Sequence, residues 1–310
     1  MAHTIGIIGL GKIAQDQHIP VIQANPDFRL LAVSSQRGLT LDHVPHAFTS
    51  HDDLLKLADL DAVAVCTPPQ VRHVIAREAL RAGKHVLLEK PPAATLSELE
   101  DLRRLADESG RVLFTTWHSQ YNRGVDEARG ALQGQAVRRL RVTWKEDVRH
   151  WHPGQQWIWD AGGFGVFDPG INALSIVTKI MPEPIFVRRA DLEFPENRDA
   201  PIAAKLEFGS GRERADLSAV FDWRQTGPQS WDIEIETEAG QRLLLSHGGS
   251  RLEIDGRLVA DETPQEYQGI YAHFAALLDA GRSEVDQDPF RLVADAFMLG
   301  RRVQVEAFED

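Results

Sequence analysis

The stretch Ile5-Gly6-Ile7-Ile8-Gly9-Leu10-Gly11-Lys12-Ile13-Ala14 decides how this chain is read. A short apolar run leads straight into a G-x-G-x-x-A sequence, and helix-like sequence follows. The first glycine makes a tight turn, the second lets backbone approach a pyrophosphate, and the third, small position lets helix pack on strand. Free N–H groups at the helix start then face the anion. A dinucleotide-binding loop is expected here, with Gly9, Gly11, Lys12 and Ile13 at the cofactor.

The neighbouring sequence extends the pattern. Phe28 to Ser34, Asp61 to Cys66, His85 to Leu88 and Val112 to Thr116 are short, nearly continuous apolar runs, as in strands buried on both faces. Val71 to Ala82 and Thr95 to Ser109 carry helical spacing. The second opens on Thr95-x-x-Glu98, a capping box, and stops at Gly110. Strands alternating with helices predict an α/β fold with a Rossmann doubly wound parallel sheet over residues 1–119. Beyond it, residues 136–147 alternate between apolar and basic side chains. Strand-like runs follow at 203–208, 214–223, 231–238, 241–246 and 251–254. These predict an α+β domain over residues 120–310 with a large, mostly antiparallel open sheet. Helices are expected over 168–179, 264–280 and 290–303, the terminal one packing back on the first domain.

The 310 residues suit two domains of roughly 150 each. Hydrophobic residues at 43% and charged residues at 26% exclude a disordered chain or a coiled coil. Lys plus Arg number 34 against 46 Asp plus Glu, and the net charge of −12 argues against nucleic-acid and anionic-membrane partners. A single cysteine, Cys66, excludes an internal disulfide. The first apolar run is too short to span a membrane and lacks the features of a signal peptide, so a cytoplasmic protein is expected.

After the second strand comes Ser34-Ser35-Gln36-Arg37. No acid stands where a ribose 2′-OH usually meets one. Ser35 can bond a 2′-phosphate and Arg37 can neutralise it, which favours NADP, or dual use with NAD. Alternatively Gln36 bonds the ribose and Arg37 is a solvated charge. Cys66-Thr67-Pro68-Pro69 ends the fourth strand, where prolines stiffen a loop against a flat cofactor, and Cys66 reads as a small buried hydrophobe. The fifth strand ends in Glu89-Lys90-Pro91-Pro92. A lysine at that edge suits proton transfer or a bond to a reacting oxygen. An ion pair with Glu89 is the plainer alternative. Cys66, Thr67, Pro68, Glu89 and Lys90 are taken as further cofactor contacts.

Taken together, these motifs resemble the glucose–fructose oxidoreductase, inositol dehydrogenase and MocA family, and the resemblance covers the whole chain. A second dense motif is Gly162-Gly163-Phe164-Gly165-Val166-Phe167-Asp168-Pro169-Gly170-Ile171-Asn172. Asp168 and Asn172 lie four apart and share a helix face. They can hold vicinal hydroxyls, or a reacting hydroxyl near Lys90, and Asp168 can also cap a helix that starts at Pro169. In many family members a histidine stands four residues after the aspartate. Asn172 takes its place here, and asparagine is no general base. The proton work therefore shifts to Lys90 with Asp168.

Trp144-Lys145-Glu146-Asp147 and His150-Trp151-His152-Pro153-Gly154-Gln155-Gln156-Trp157-Ile158-Trp159 offer rings and polar donors suited to a sugar, or else a packed loop. His150 and His152 lack an evident third ligand, so no metal is expected. Trp117-His118-Ser119 ends the last strand of the first domain, where His118 can bond a hydroxyl or a strand carbonyl. With Glu89-Lys90-Pro91-Pro92, these segments are similar to the bacterial aldose 1-dehydrogenases that act on L-arabinose and D-galactose. The resemblance implies hydride transfer from C1 of a pyranose to NAD or NADP, giving a lactone. It implies Lys90, Asp168 and Asn172 as catalytic residues, and sugar contacts from His118, Trp151, Asp168, Asn172 and Trp231. A homodimer through the second-domain sheet is the expected assembly. The alternatives are a non-catalytic NADP-binding sugar sensor or co-regulator and an inositol or dihydrodiol dehydrogenase. Asn172 speaks against the histidine-using forms of the latter.

Overall fold

A computed structural model describes residues 2–212 and 215–309. Strand β1 (His3–Ile8) runs into the glycine loop, a π-helical turn over Ala14–His18, and helix α1 (Ile19–Ala24). There follow β2 (Phe28–Ser34), β3 (His46–Phe48), α2 (His51–Leu55), β4 (Ala62–Val65), α3 (Pro69–Arg81), β5 (His85–Leu88), α4 (Leu96–Ser109) and β6 (Leu113–Thr115). The strands form one sheet in the order β3-β2-β1-β4-β5-β6, with every pairing parallel. Ile5, Ile7, Val63, Val65, Val86 and Leu88 are wholly buried, which explains the unbroken apolar runs. β1 lies between β2 and β4, so the chain order reverses there. The carboxyl ends of β1 and β4 are thus the switch point where such sheets bind ligands. The capping box at α4 forms with a shift. Thr95 Oγ1 accepts the Glu98 N–H at 3.2 Å, while Glu98 accepts the N–H of Ala94 rather than that of Thr95.

The rest comprises α5 (Arg123–Leu132), β7 (Val137–Lys145), α6 (Val148–Trp151), α7 (Phe167–Ile180), β8 (Phe186–Pro195), β9 (Ala203–Gly209), β10 (Asp216–Asp222), β11 (Ser230–Thr237), β12 (Arg242–Ser246), β13 (Arg251–Ile254), β14 (Arg257–Asp261), α8 (Glu266–Ala280), α9 (Asp288–Leu299) and β15 (Arg301–Val305). A nine-stranded sheet runs β14-β13-β12-β11-β7-β10-β9-β8-β15. It is mostly antiparallel, with β10–β7 and β15–β8 as parallel pairs. Leu140, Val142 and Trp144 of β7 and Ile233 and Ile235 of β11 are buried, in the two-residue period of a sheet with one packed face.

Several elements depart from expectation. β3, β8, β14 and α5 were not signalled by the sequence. The last helix stops at Leu299 rather than 303, because Gly300 is extended (φ −69°, ψ 134°) and the alternating Arg301–Val305 pairs with β8. The run expected from Arg214 is β10, which starts at Asp216; Arg214 itself lies outside the described residues.

Two compact units result, Met1–Trp117 with Tyr267–Asp286, and His118–Glu266 with Gln287–Asp310. It is α8 from Tyr267 onward, not the terminal α9, that belongs with the first unit. Phe274 of α8 stacks on Phe28 and Phe114, and Glu284 bridges to the β6 edge. Phe290 and Phe297 of α9 instead meet Phe164 and Phe167 in the second unit. Among the described residues no helix is long and apolar enough to cross a membrane.

Candidate active site

The phosphate loop is built as its residue types require. Gly9 has φ +98°, and a Cβ there would meet the backbone of Cys66 at 3.0–3.1 Å, so the tight turn admits no side chain. At Gly11 a Cβ would meet nothing within 4 Å, which leaves the space over the helix start open. An anion fits that cradle. Arg37, past the end of β2, reaches back so that Nη2 donates to Leu10 O at 3.3 Å, which places a cation against the loop. Ser35 is buried and Gln36 exposed. Lys12 is exposed and paired with Asp16, and Ile13 precedes the π-helical turn. These residues fit a dinucleotide.

Two further loops leave the same sheet edge, after β4 and β5. The buried Arg72 of α3 holds both, donating to Thr67 O in one and to Glu89 O and Pro91 O in the other. The Lys90–Pro91 bond is cis. Lys90 is half-buried, and its N–H donates to the Glu89 carboxylate at 2.7 Å. Glu89, taken from sequence as a cofactor contact, is 2% exposed and bonded to His18 and Tyr267. Cys66 is a buried free thiol, as read.

The second unit gathers a different set. Gly165 has φ +51°, and a Cβ there would lie 2.3 Å from Pro201 O, so the glycine-rich loop turns tightly into α7. Helix α7 begins at Phe167, so Asp168 sits inside its first turn and is not the cap before Pro169. A buried carboxylate is favoured there by the helix dipole. Its Oδ2 lies 3.6 Å from His152 Nε2, and His152 lies 3.8 Å from Glu146 Oε1. Glu146 accepts the indole N–H of Trp231 at 2.8 Å and that of Trp223 at 3.3 Å. Trp231 stacks with Trp144 and packs on Trp151, which is 37% exposed. Asn172 is half-buried, one turn along α7 from Asp168. Sequence reasoning placed Glu146 and His152 in segments suited to a sugar but singled out neither residue. The strand alternation Val142, Trp144, Glu146 was the available signal, for it turns the carboxylate inward.

His118 is held by a separate cluster of this unit. Its Nδ1 lies 2.7 Å from Glu266 Oε2, and Glu266 also accepts from Asn122 at 2.6 Å. Burial works against the Glu266 charge, but His118, Asn122 and Ser119 outweigh it and hold the carboxyl below the usual range. The histidines at 150 and 152 diverge: His150 is exposed and edges onto Trp151 at 4.9 Å, while His152 turns to the carboxylates. Among the described residues one group has metal-ligand spacing, the surface cluster His51, Asp52 and Glu78.

A glycine loop at a switch point, with a lysine at the neighbouring strand end, defines a nicotinamide-dependent oxidoreductase. The chain belongs to the GFO_IDH_MocA oxidoreductase family with an NAD-binding Rossmann fold, whose model matches residues 3–117. It is 45% identical to galactose 1-dehydrogenase of Pseudomonas fluorescens over 311 residues, covering 99% of this chain and 98% of that one. The crystal structure of D-galactose-1-dehydrogenase from Rhizobium etli superposes with a TM-score of 0.94 at 53% identity, covering 99% and 98% of the two chains. A 3-ketoreductase from Actinomadura kijaniata, solved with NADP and TDP-benzene, shares the fold at a TM-score of 0.86 and 19% identity over 98% of this chain and 100% of its own.

Proposed function

We propose that this chain, an NAD(P)-dependent sugar dehydrogenase, oxidises D-galactose and L-arabinose at C1 to their lactones. One observation carries the reading. Buried Glu146 takes the indole N–H of Trp231, which packs on Trp144 and Trp151, and His152 lies within 3.8 Å of both Glu146 and the buried Asp168. Flat rings take the C–H face of a pyranose while carboxylates and an imidazole take its hydroxyls. The two sugars share configuration at C2, C3 and C4, so one pocket serves both. Whole-chain likeness to two galactose dehydrogenases supports D-galactose among them.

The bound nicotinamide supplies the hydride acceptor. The sugar loses hydride from C1 and a proton from the anomeric hydroxyl, and the C1–O bond becomes the lactone carbonyl. Lys90 takes or relays that proton. Asp168 orients the hydroxyl that gives it up, and Asn172, which cannot act as a base, holds a ring hydroxyl. His118, oriented by Glu266, and Trp151 and Trp231 complete the sugar contacts. Arg37 and Ser35 favour NADP, with NAD accepted. A second copy pairs through the nine-stranded sheet, as expected from the sequence.

Initial rates of cofactor reduction with L-arabinose, D-galactose, D-glucose, D-xylose and myo-inositol, each with NAD and NADP, test the reading. Rates confined to the first two sugars, with lactone identified by NMR, are expected. Turnover of myo-inositol alone, or cofactor binding without turnover of any sugar, would overturn it.

A further inference from the structure

The first unit holds a buried polar cluster beyond the phosphate loop. His18 is shut from solvent and closes the π-helical turn after the phosphate loop, and Glu89 directly precedes Lys90. His18 Nε2 lies 3.1 Å from Glu89 Oε1, and its Nδ1 lies 2.7 Å from the Tyr271 hydroxyl. The Tyr267 hydroxyl donates to the same Glu89 oxygen at 2.6 Å. The other oxygen, Oε2, accepts the Lys90 amide N–H. The imidazole packs edge-on against both phenol rings, with centroids 4.9 and 5.7 Å away. A buried carboxylate is costly unless every lone pair is used, and an apolar side chain would fold this strand end more simply. The one carboxylate links three stretches far apart in sequence: the helical turn that carries the phosphate loop, the strand end that carries Lys90, and α8.

We propose that His18, Glu89 and Tyr267 are positioning residues, whose bonds fix the Lys90 backbone against the phosphate loop so that lysine and bound nicotinamide address one substrate geometry. This rests on Lys90 being the proton-transfer residue. The cluster then governs turnover and leaves sugar affinity alone.

Glu89→Gln tests this, since its amide N–H replaces an acceptor and either Lys90 N–H or the Tyr267 and His18 donors lose a partner. We expect kcat to fall about tenfold or more, because small misplacements of reacting groups are costly. The KM for D-galactose and the Kd for NADP stay within about twofold. Tyr267→Phe keeps the packing, which serves should the glutamine variant fold poorly, and costs about threefold in kcat. Both substitutions are repeated in a Lys90→Ala background, where they are expected to change kcat no further. An equal loss in both backgrounds, or a loss seen only in KM, overturns the positioning role. Near-normal turnover of Lys90→Ala alone overturns the reading of Lys90, a separate result.

Discussion

Glu89 and Glu146 occupy matching places in the two units. Each is the first residue past a strand, β5 or β7, and each is almost wholly buried, at 2% and 4% exposure. Their partners differ. Glu89 is enclosed by an imidazole, a phenol and the N–H of the next residue. Glu146 is held by two indoles, and one of them, Trp231, is itself partly exposed beside Trp151. A carboxylate bonded to an imidazole, a phenol and a backbone N–H from three stretches of chain holds those stretches together. One whose donors are stacking rings sets the shape of a recognition surface. The chemistry of a buried acid is therefore read from its donors, not from its place at a strand end.

The sharpest way to break this comparison is to remove the group that Glu89 is held to serve. Lys90→Ala should lower kcat about 10³-fold, within the range of a lost acid–base group, with KM for D-galactose changed far less. Asp168→Asn removes the carboxylate beside His152 and should cost about 10²-fold in kcat/KM. Glu146→Gln should act on the other side of the comparison, raising KM about tenfold through the lost charge-assisted bonds while kcat changes less. A fall in kcat with unchanged KM for Glu146→Gln would mean that the two glutamates do the same work.

The parallel sheet and its ligand edge were legible because unbroken apolar strands, glycine turns and capping signals are local. The glycine loop and Lys90 needed no partner to be recognised. Strand β8 hid because a register shift at Val187/Arg189 breaks its alternation, and β14 because Leu258 and Val259 are exposed at the sheet edge. The two glutamates were the harder case, since their partners lie far away in the chain. Tyr267 and Tyr271 looked like part of an apolar stripe at helical spacing. Their hydroxyls were the missed signal, since a buried phenol requires an acceptor.

A smaller effect separates cofactor from sugar. Arg37→Ala should lower kcat/KM for NADP about tenfold and leave NAD nearly unchanged, because a guanidinium–phosphate bond is lost only with the phosphorylated ribose. Equal losses with both cofactors would instead assign Arg37 to the loop carbonyl of Leu10, to which it is bonded.

The smallest expected effect is on stability against pH, and it probes the Glu89 side alone. Burial opposes a charge on His18, but Cys66, Tyr271 and Glu89 around it outweigh burial and raise its pKa well above 6.5. The unfolded histidine titrates near its ordinary value of about 6.5. A raised folded pKa means that the stabilisation is fully present below the unfolded value and is lost as pH climbs through the folded one. His18→Gln keeps a donor toward Glu89 but carries no charge at any pH. The thermal midpoint of the native chain should therefore exceed that of His18→Gln most below about pH 6.5, and the gap should narrow as the pH is raised above that value. A gap that stays constant as the pH is raised would mean that the imidazole is neutral in the folded chain and that hydrogen bonding alone holds Glu89 in place.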